Sequence, residues 1–273
     1  MSTFADKHIL ITGGASGIGL QMAKHIARKK ATTLSLWDIN KDALEGARGE
    51  LNGFQTSIQT RIVDIGNAEQ IYSAAKDLIK NIGSVDILIN NAGIVVGGPF
   101  EQQSREQIDQ GIRINLLGAM HVCRAFLPDM KQRQSGHIVN IASAAGLMPN
   151  PNMSVYAGSK WGMIGWSESL RIELERKSTG INVTTVQPSY IKTGMFEGVK
   201  PPLLTPFLEK DDIADRIIQA VEANKIHLRA PFMVKLIPFL KGILPQKAFD
   251  FIAGKLFQVY QSMDTFKGRK STQ

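Results

Sequence analysis

The chain has one cysteine, Cys123, among its 273 residues. No intramolecular disulfide can form, which suits a reducing compartment. Cys123 falls in the helical stretch Met120–Phe126 and is expected to be a buried structural thiol. No uncharged apolar run reaches the roughly 18–20 residues that a membrane-crossing helix needs. The strand-like run beginning at His8 lies close to Met1, so no secretory leader is expected and the expected compartment is the cytoplasm. The five histidines show no metal-ligand spacing, so no metal is expected.

Acidic residues are scarce in one region only. Residues 225–273 hold nine of the 32 Lys/Arg but only two of the 24 Asp/Glu, Asp250 and Asp264. That segment carries a net +7, and the rest of the chain +1, of the total +8. A nearly neutral body thus carries a basic tail.

Short apolar runs alternate with helix-length segments. His8–Ile11, Thr33–Trp37, Ile58–Val63, Ile87–Ile89, His137–Ile141 and Val183–Val186 read as strands. Several do not alternate polar with apolar, as expected of strands covered on both faces. Ile18–Lys30, Lys41–Leu51, Ala68–Ile82, Ser104–Lys131, Tyr156–Lys177 and Asp211–Ala223 read as helices. The alternation predicts an α/β fold, a doubly wound parallel Rossmann sheet with helices on both faces. Residues 1–225 form the expected nucleotide-binding catalytic domain. Residues 194–210, rich in Gly and Pro, form a long loop over the substrate. Residues 226–273 form a C-terminal extension.

Thr12 through Gly19 stands between the first strand and the first helix. Gly13, Gly17 and Gly19 let the backbone turn tightly beside a pyrophosphate, and the helix N-terminus supplies amide donors. Asp38 closes the second strand, where a carboxylate accepts from both ribose hydroxyls of NAD and repels the 2′-phosphate of NADP. Neither Ser16 nor Ile39 supplies the cation an NADP site would want. Asp64 ends the third strand, within reach of the adenine. Asn90, Asn91, Ala92 and Gly93 end the fourth.

Tyr156 and Lys160 stand four residues apart on one helix, thirteen residues after Ser143. An ammonium beside a phenol favours the phenolate, so Lys160 is expected to lower the Tyr156 pKa from its reference near ~10. Such a tyrosine can exchange a proton with a substrate hydroxyl or carbonyl.

Taken together these elements resemble the short-chain dehydrogenase/reductase family over about residues 5–225. The resemblance implies a sheet of about seven strands, a homodimer or homotetramer, and NAD(P)-linked interconversion of alcohols and carbonyls. It makes Tyr156 the general acid/base, Lys160 its partner and a holder of the nicotinamide ribose, and Ser143 a donor to the substrate oxygen. Asn115 would position a water beyond Lys160. Ser16, Ile18, Ile65, Pro188, Ile191 and Thr193 complete the implied cofactor contacts. The family's usual Pro-Gly after the sixth strand is Pro188-Ser189 here.

The substrate side offers Ala145, Tyr190, Met195 and Phe196, with Val95, Val96, Leu147 and Met148 nearby. These are mostly apolar, and no arginine is set for a carboxylate or phosphate. The expected substrate is a hydrophobic secondary alcohol or ketone: a steroid, a retinoid-like alcohol or a long-chain lipid. Two alternatives remain open at this point: a 3-oxoacyl-thioester reductase, and an NAD-binding sensor or membrane scaffold without turnover.

The tail holds six of the twelve phenylalanines. Phe249, Ile252, Leu256, Phe257 and Tyr260 are spaced as one amphipathic stripe. The tail either packs over the substrate cleft or a subunit neighbour, or lies on an anionic membrane surface through residues 231–260. Its lysines interleave with aliphatic residues and carry no recognised motif, so no nucleic-acid partner is expected.

Overall fold

The computed structural model describes residues 2–268. Seven parallel strands form one sheet in the order β3-β2-β1-β4-β5-β6-β7. They are β1 (His8–Thr12), β2 (Thr33–Asp38), β3 (Ser57–Ile62), β4 (Ile87–Asn90), β5 (Gly136–Ile141), β6 (Ile181–Pro188) and β7 (His227–Ala230). The order reverses between β1 and β4, and in such sheets ligands bind beyond the strand carboxyl ends at that switch point.

Every residue of β1 and β4 is buried, which explains their unbroken apolar runs. Side chains alternate between two cores. Ile9 and Ile11 enter one, while Leu10 enters the other. The first core is covered by α1 (Gly17–Arg28), α2 (Lys41–Glu50) and α7 (Lys210–Glu222). The second is covered by α3 (Ala68–Asn81), α5 (Ala119–Arg133) and α6 (Ser154–Arg176). Each fully buried Leu or Ile contributes roughly 1.5–3 kcal/mol of transfer free energy. Cys123 lies buried in the second core, where burial pushes its thiol up to about 12. It is the structural thiol the sequence suggests.

Three expectations change. The sheet does not stop at residue 225, because β7 pairs in register with β6 from Thr185↔His227 to Pro188↔Ala230. Four residues inside a basic stretch carry too little pattern to mark a strand, yet pairing to β6 settles them. The expected single helix Ser104–Lys131 is divided into α4 (Arg105–Ile112), a π-helical turn over Arg113–Gly118, and α5. The turn passes so close to the end of β3 that a Cβ on Gly118 would lie 2.5 Å from the Ile65 carbonyl oxygen.

The third change concerns the tail. Its stripe is not one helix: α8 (Phe232–Ile243) and α9 (Gln246–Phe251) are followed by a π-helical turn over Ile252–Leu256. Gln258 then takes a left-handed conformation and ends the run. Phe249 is buried while Leu256 is 55% exposed, so the stripe divides between the two sides.

The loop 194–210 is ordered by the tail. Backbone amides of Lys200 and Leu203 donate to the carbonyls of Ser262 and Phe257, and the Lys267 amide donates to Glu197. A Cβ on Gly198 would stand 2.2 Å from the Thr265 carbonyl oxygen, so that glycine permits the approach.

Candidate active site

A cleft of about 1310 Å³, counting its open mouth, runs along the carboxyl ends of the strands. At one end lies the glycine turn. Gly13 and Gly17 have φ of 62° and 57°. A Cβ on Gly19 would lie 2.1 Å from the Gly13 carbonyl oxygen, a contact only glycine escapes. Thr12 and Asn91 fasten this turn to the end of β4. The Thr12 hydroxyl accepts from the amides of Asn91 and Ala92, each at 3.1 Å, and the Asn91 amide donates to the Thr12 and Gly13 carbonyls.

Ser16 precedes α1 but its side chain does not cap the helix, and the first turn holds no acidic residue. The first-turn amides and the positive end of the helix dipole thus remain suited to an anion. Those residues fit a pyrophosphate.

Asp38 stands at the end of β2. Its carboxylate accepts from the Ala15 and Asn40 amides, both at 3.1 Å, and so also shapes the glycine turn. Asp64 lies two residues past β3, where it accepts from the Gly66 amide at 2.7 Å. Ser16, Ile18, Ile65, Ala92, Gly93, Pro188, Ile191 and Thr193 line the cleft with them. Asn90 does not. Its side chain turns under the sheet's end and donates to Asn140 at 2.8 Å. Asn91, next in the chain, faces the cleft instead, as strand alternation requires.

At the other end α6 brings Tyr156 and Lys160 to Ser143, which lies just past β5. The Ser143 hydroxyl accepts from the Ala145 amide at 3.1 Å and donates to the Pro188 carbonyl at 3.4 Å, and it lines the cleft together with Tyr156. Lys160 is directed elsewhere than the sequence suggests. Its ammonium donates to the Ile141 carbonyl at 2.8 Å and stands 5.7 Å from the Tyr156 ring centroid.

Consequently the expected depression of the Tyr156 pKa does not occur in this arrangement. Burial raises it to about 12, against a lowering contribution from Ser143. Burial also pulls Lys160 down to about 8. Both groups are driven towards their neutral forms, because a charge without water around it is costly. At neutral pH Tyr156 holds its proton and can give it.

Asn115 sits in the π-helical turn, fully buried. It clamps Ile94 from both sides: the amide donates to the Ile94 carbonyl at 2.9 Å, and the Ile94 amide donates to its carbonyl at 2.8 Å. It also donates to Ser159 at 3.1 Å. Its carbonyl oxygen and the Lys160 ammonium lie 3.1 Å and 3.7 Å from the point a Gly93 Cβ would occupy.

A second cavity, about 840 Å³ counting its open mouth, lies beside the first. Ser143, Ala145, Tyr156, Tyr190 and Phe196 line it, but Met195 turns into the nucleotide cleft instead. Most of its far wall comes from α8, α9 and the turn beyond α9, including Val234, Ile237, Leu240, Phe249 and Phe257. Sequence reasoning missed these wall residues; the concentration of phenylalanine in the tail was the available signal. The Tyr190 hydroxyl pairs with the Ser262 hydroxyl at 2.7 Å, and Phe196 packs edge-on against both Tyr190 and Tyr156. Among the described residues no cluster of His, Cys, Asp and Glu could hold a metal ion.

The family model for short chain dehydrogenases matches residues 7–203. The chain belongs to the short-chain dehydrogenase family. This short-chain dehydrogenase is 37% identical over 270 residues to Epidermal retinol dehydrogenase 2 of Mus musculus, covering 97% of this chain and 87% of that protein. It is 32% identical over 260 residues to Estradiol 17-beta-dehydrogenase 11 of Homo sapiens, covering 95% and 86%. Among solved structures, a short-chain dehydrogenase/reductase from Burkholderia phymatum in complex with NAD superposes with a TM-score of 0.81 at 24% identity. That match covers 89% of this chain and 95% of the other. As a member of the family, the protein is an oxidoreductase.

Proposed function

We propose that this protein transfers a hydride between NAD and a bulky, apolar secondary alcohol or ketone. One observation carries the reading: Ser143 and Tyr156 line both cavities. The nucleotide cleft and the apolar cavity therefore meet at Tyr156 and the hydroxyls of Ser143 and Ser189, beside Phe196.

NAD, when bound, supplies the carbon that accepts or returns the hydride. The chain does the rest. The glycine turn and α1 would hold the pyrophosphate, and Asp38 would receive the ribose hydroxyls. Asp38 and Asp64 line the cleft, and Lys160 is its sole cation among the described residues, placed at the reaction end. An NADP phosphate at Asp38 would meet a carboxylate with no counter-charge. In the reductive direction Tyr156 gives its proton to the carbonyl oxygen, and Ser143 steadies the charge that develops there. Lys160 and the Asn115 carbonyl, both beside Gly93, flank the route by which that proton is replaced.

The walls of the cavity are mostly apolar and offer few polar partners, which suits an apolar molecule. Relatives named for retinol and estradiol support a lipophilic substrate. The test monitors absorbance of the nicotinamide band with NAD or NADP across alcohols from short-chain to steroid. Turnover with NAD on bulky apolar alcohols is the expected result. Turnover confined to NADP, or to 3-oxoacyl thioesters, would overturn the reading. Dinucleotide binding with no turnover across the panel would favour a sensor.

A further inference from the structure

We propose that the outer face of α8 and α9 docks this protein on an anionic lipid bilayer. The proposal stands on the surface itself and does not depend on the substrate reading.

Helix α8 is apolar on two opposite sides. Val234, Ile237 and Leu240 face inward, where they line the substrate cavity. Phe232, Phe239 and Ile243 recur at i, i+7 and i+11, which is one face of a helix. They are 65%, 64% and 60% exposed. Phe251 and Leu256 beyond are 52% and 55% exposed. A soluble surface scatters such residues singly. Here five fall within residues 232–256, and none of the described segments covers them.

Charge decides the occupant. Residues 232–256 hold four lysines and a single acid, Asp250. Asp250 already accepts from Gln246 and Tyr260. Lys241 turns inward over the Trp161 ring at 3.6 Å, which pins α8 against α6. Lys235, Lys247 and Lys255 form no ion pair among the described residues. Lys235 and Lys255 stand 5.7 Å above the rings of exposed Phe232 and Phe251. Aromatics that enter an acyl layer, with ammonium groups at headgroup level, match an anionic interface. A second copy fits poorly, because a two-fold contact would set the lysines of both copies face to face. Among the described residues no helix is long and apolar enough to cross a membrane, so the contact lies flat on the surface.

The geometry also joins this face to the cavity. Leu203 lines the cavity, is 53% exposed, and is held to the tail through the Phe257 carbonyl. An apolar ligand leaving a bilayer would meet an apolar rim.

The test is flotation of the full chain with vesicles of phosphatidylcholine alone or with roughly 30% phosphatidylserine. Co-flotation with the serine-containing vesicles is expected, weakening at high salt as the charges are screened. Phe232→Ser, Phe239→Ser and Ile243→Ser together should lower the bound fraction at least ~10-fold. Lys235→Glu, Lys247→Glu and Lys255→Glu should lower it by about fivefold per lost lysine or more. Both variants leave the cavity walls intact, and dinucleotide binding checks their folding. Failure of the parent chain to float would overturn the proposal, as would variants that float equally well. A variant that turns a dimer into a monomer without changing flotation would also overturn it, and assign the face to self-association. Flotation requires no turnover, so its outcome is separate from that of the substrate panel.

Discussion

Replacing Lys160 with methionine removes a buried cation while nearly keeping the volume of the side chain. Burial holds the Lys160 ammonium at a pKa of about 8, against 10.5 for a free lysine. A shift of that size corresponds to about 3 kcal/mol of native-state destabilisation at pH 7. The variant escapes it but loses the 2.8 Å bond to the Ile141 carbonyl, which offsets about 1–2 kcal/mol. Lys160→Met should therefore be more stable than the parent at pH 7, by about 1–2 kcal/mol, while losing activity.

The pH dependence makes the test sharp. Above pH 8 native Lys160 releases its proton, whereas the unfolded chain keeps it to 10.5. Within that window the unfolded state binds more protons, so parent stability rises with pH relative to the variant. The advantage of the variant should shrink by up to about 1.4 kcal/mol per pH unit and vanish before pH 10.5. Tyr156 is pushed up to about 12, remains in both chains, and largely cancels from the difference. Urea unfolding of both proteins at several pH values, without added dinucleotide, measures the effect. A stability difference that stays flat from pH 7 to 10.5 would refute the claim that Lys160 is a costly buried charge.

Tyr156→Phe should lower turnover at least ~1000-fold while fluorescence titration shows NADH still binding; substantial remaining activity would remove Tyr156 from the proton role. For Asp38→Ala, KM for NAD should rise about tenfold and discrimination against NADP should fall, since each charge-assisted bond contributes roughly 1.5–3 kcal/mol; unchanged cofactor kinetics would reduce Asp38 to a cap for the Ala15 and Asn40 amides. Gly19→Ala places a Cβ 2.1 Å from the Gly13 carbonyl oxygen, so thermal unfolding should show a loss of about 1–3 kcal/mol together with weakened dinucleotide binding; a variant that binds NAD normally would contradict the tight turn.

The sequence by itself determined the parts whose signals are local. The glycine turn, Asp38 at a strand end and the i, i+4 pair of Tyr156 and Lys160 depend on spacing along one or two elements. So do the two-sided burial of β1 and β4 and the placement of Cys123. Backbone geometry fixes such relations before any long-range contact forms.

Tertiary structure alone decided the rest. Strand β7 exists because β6 offers it a partner, not because four residues in a basic segment prefer to be extended. The Lys160 ammonium lies nearer a carbonyl than the phenol because β5 presents Ile141 to it. Asn90 serves Asn140 and leaves the cleft to Asn91. The apolar cavity joins Ser143 and Tyr156 to Phe249 and Phe257, about a hundred positions away. Periodicity records which face of an element is apolar. What that face meets, and how far burial then moves a pKa, is fixed only when distant segments pack together.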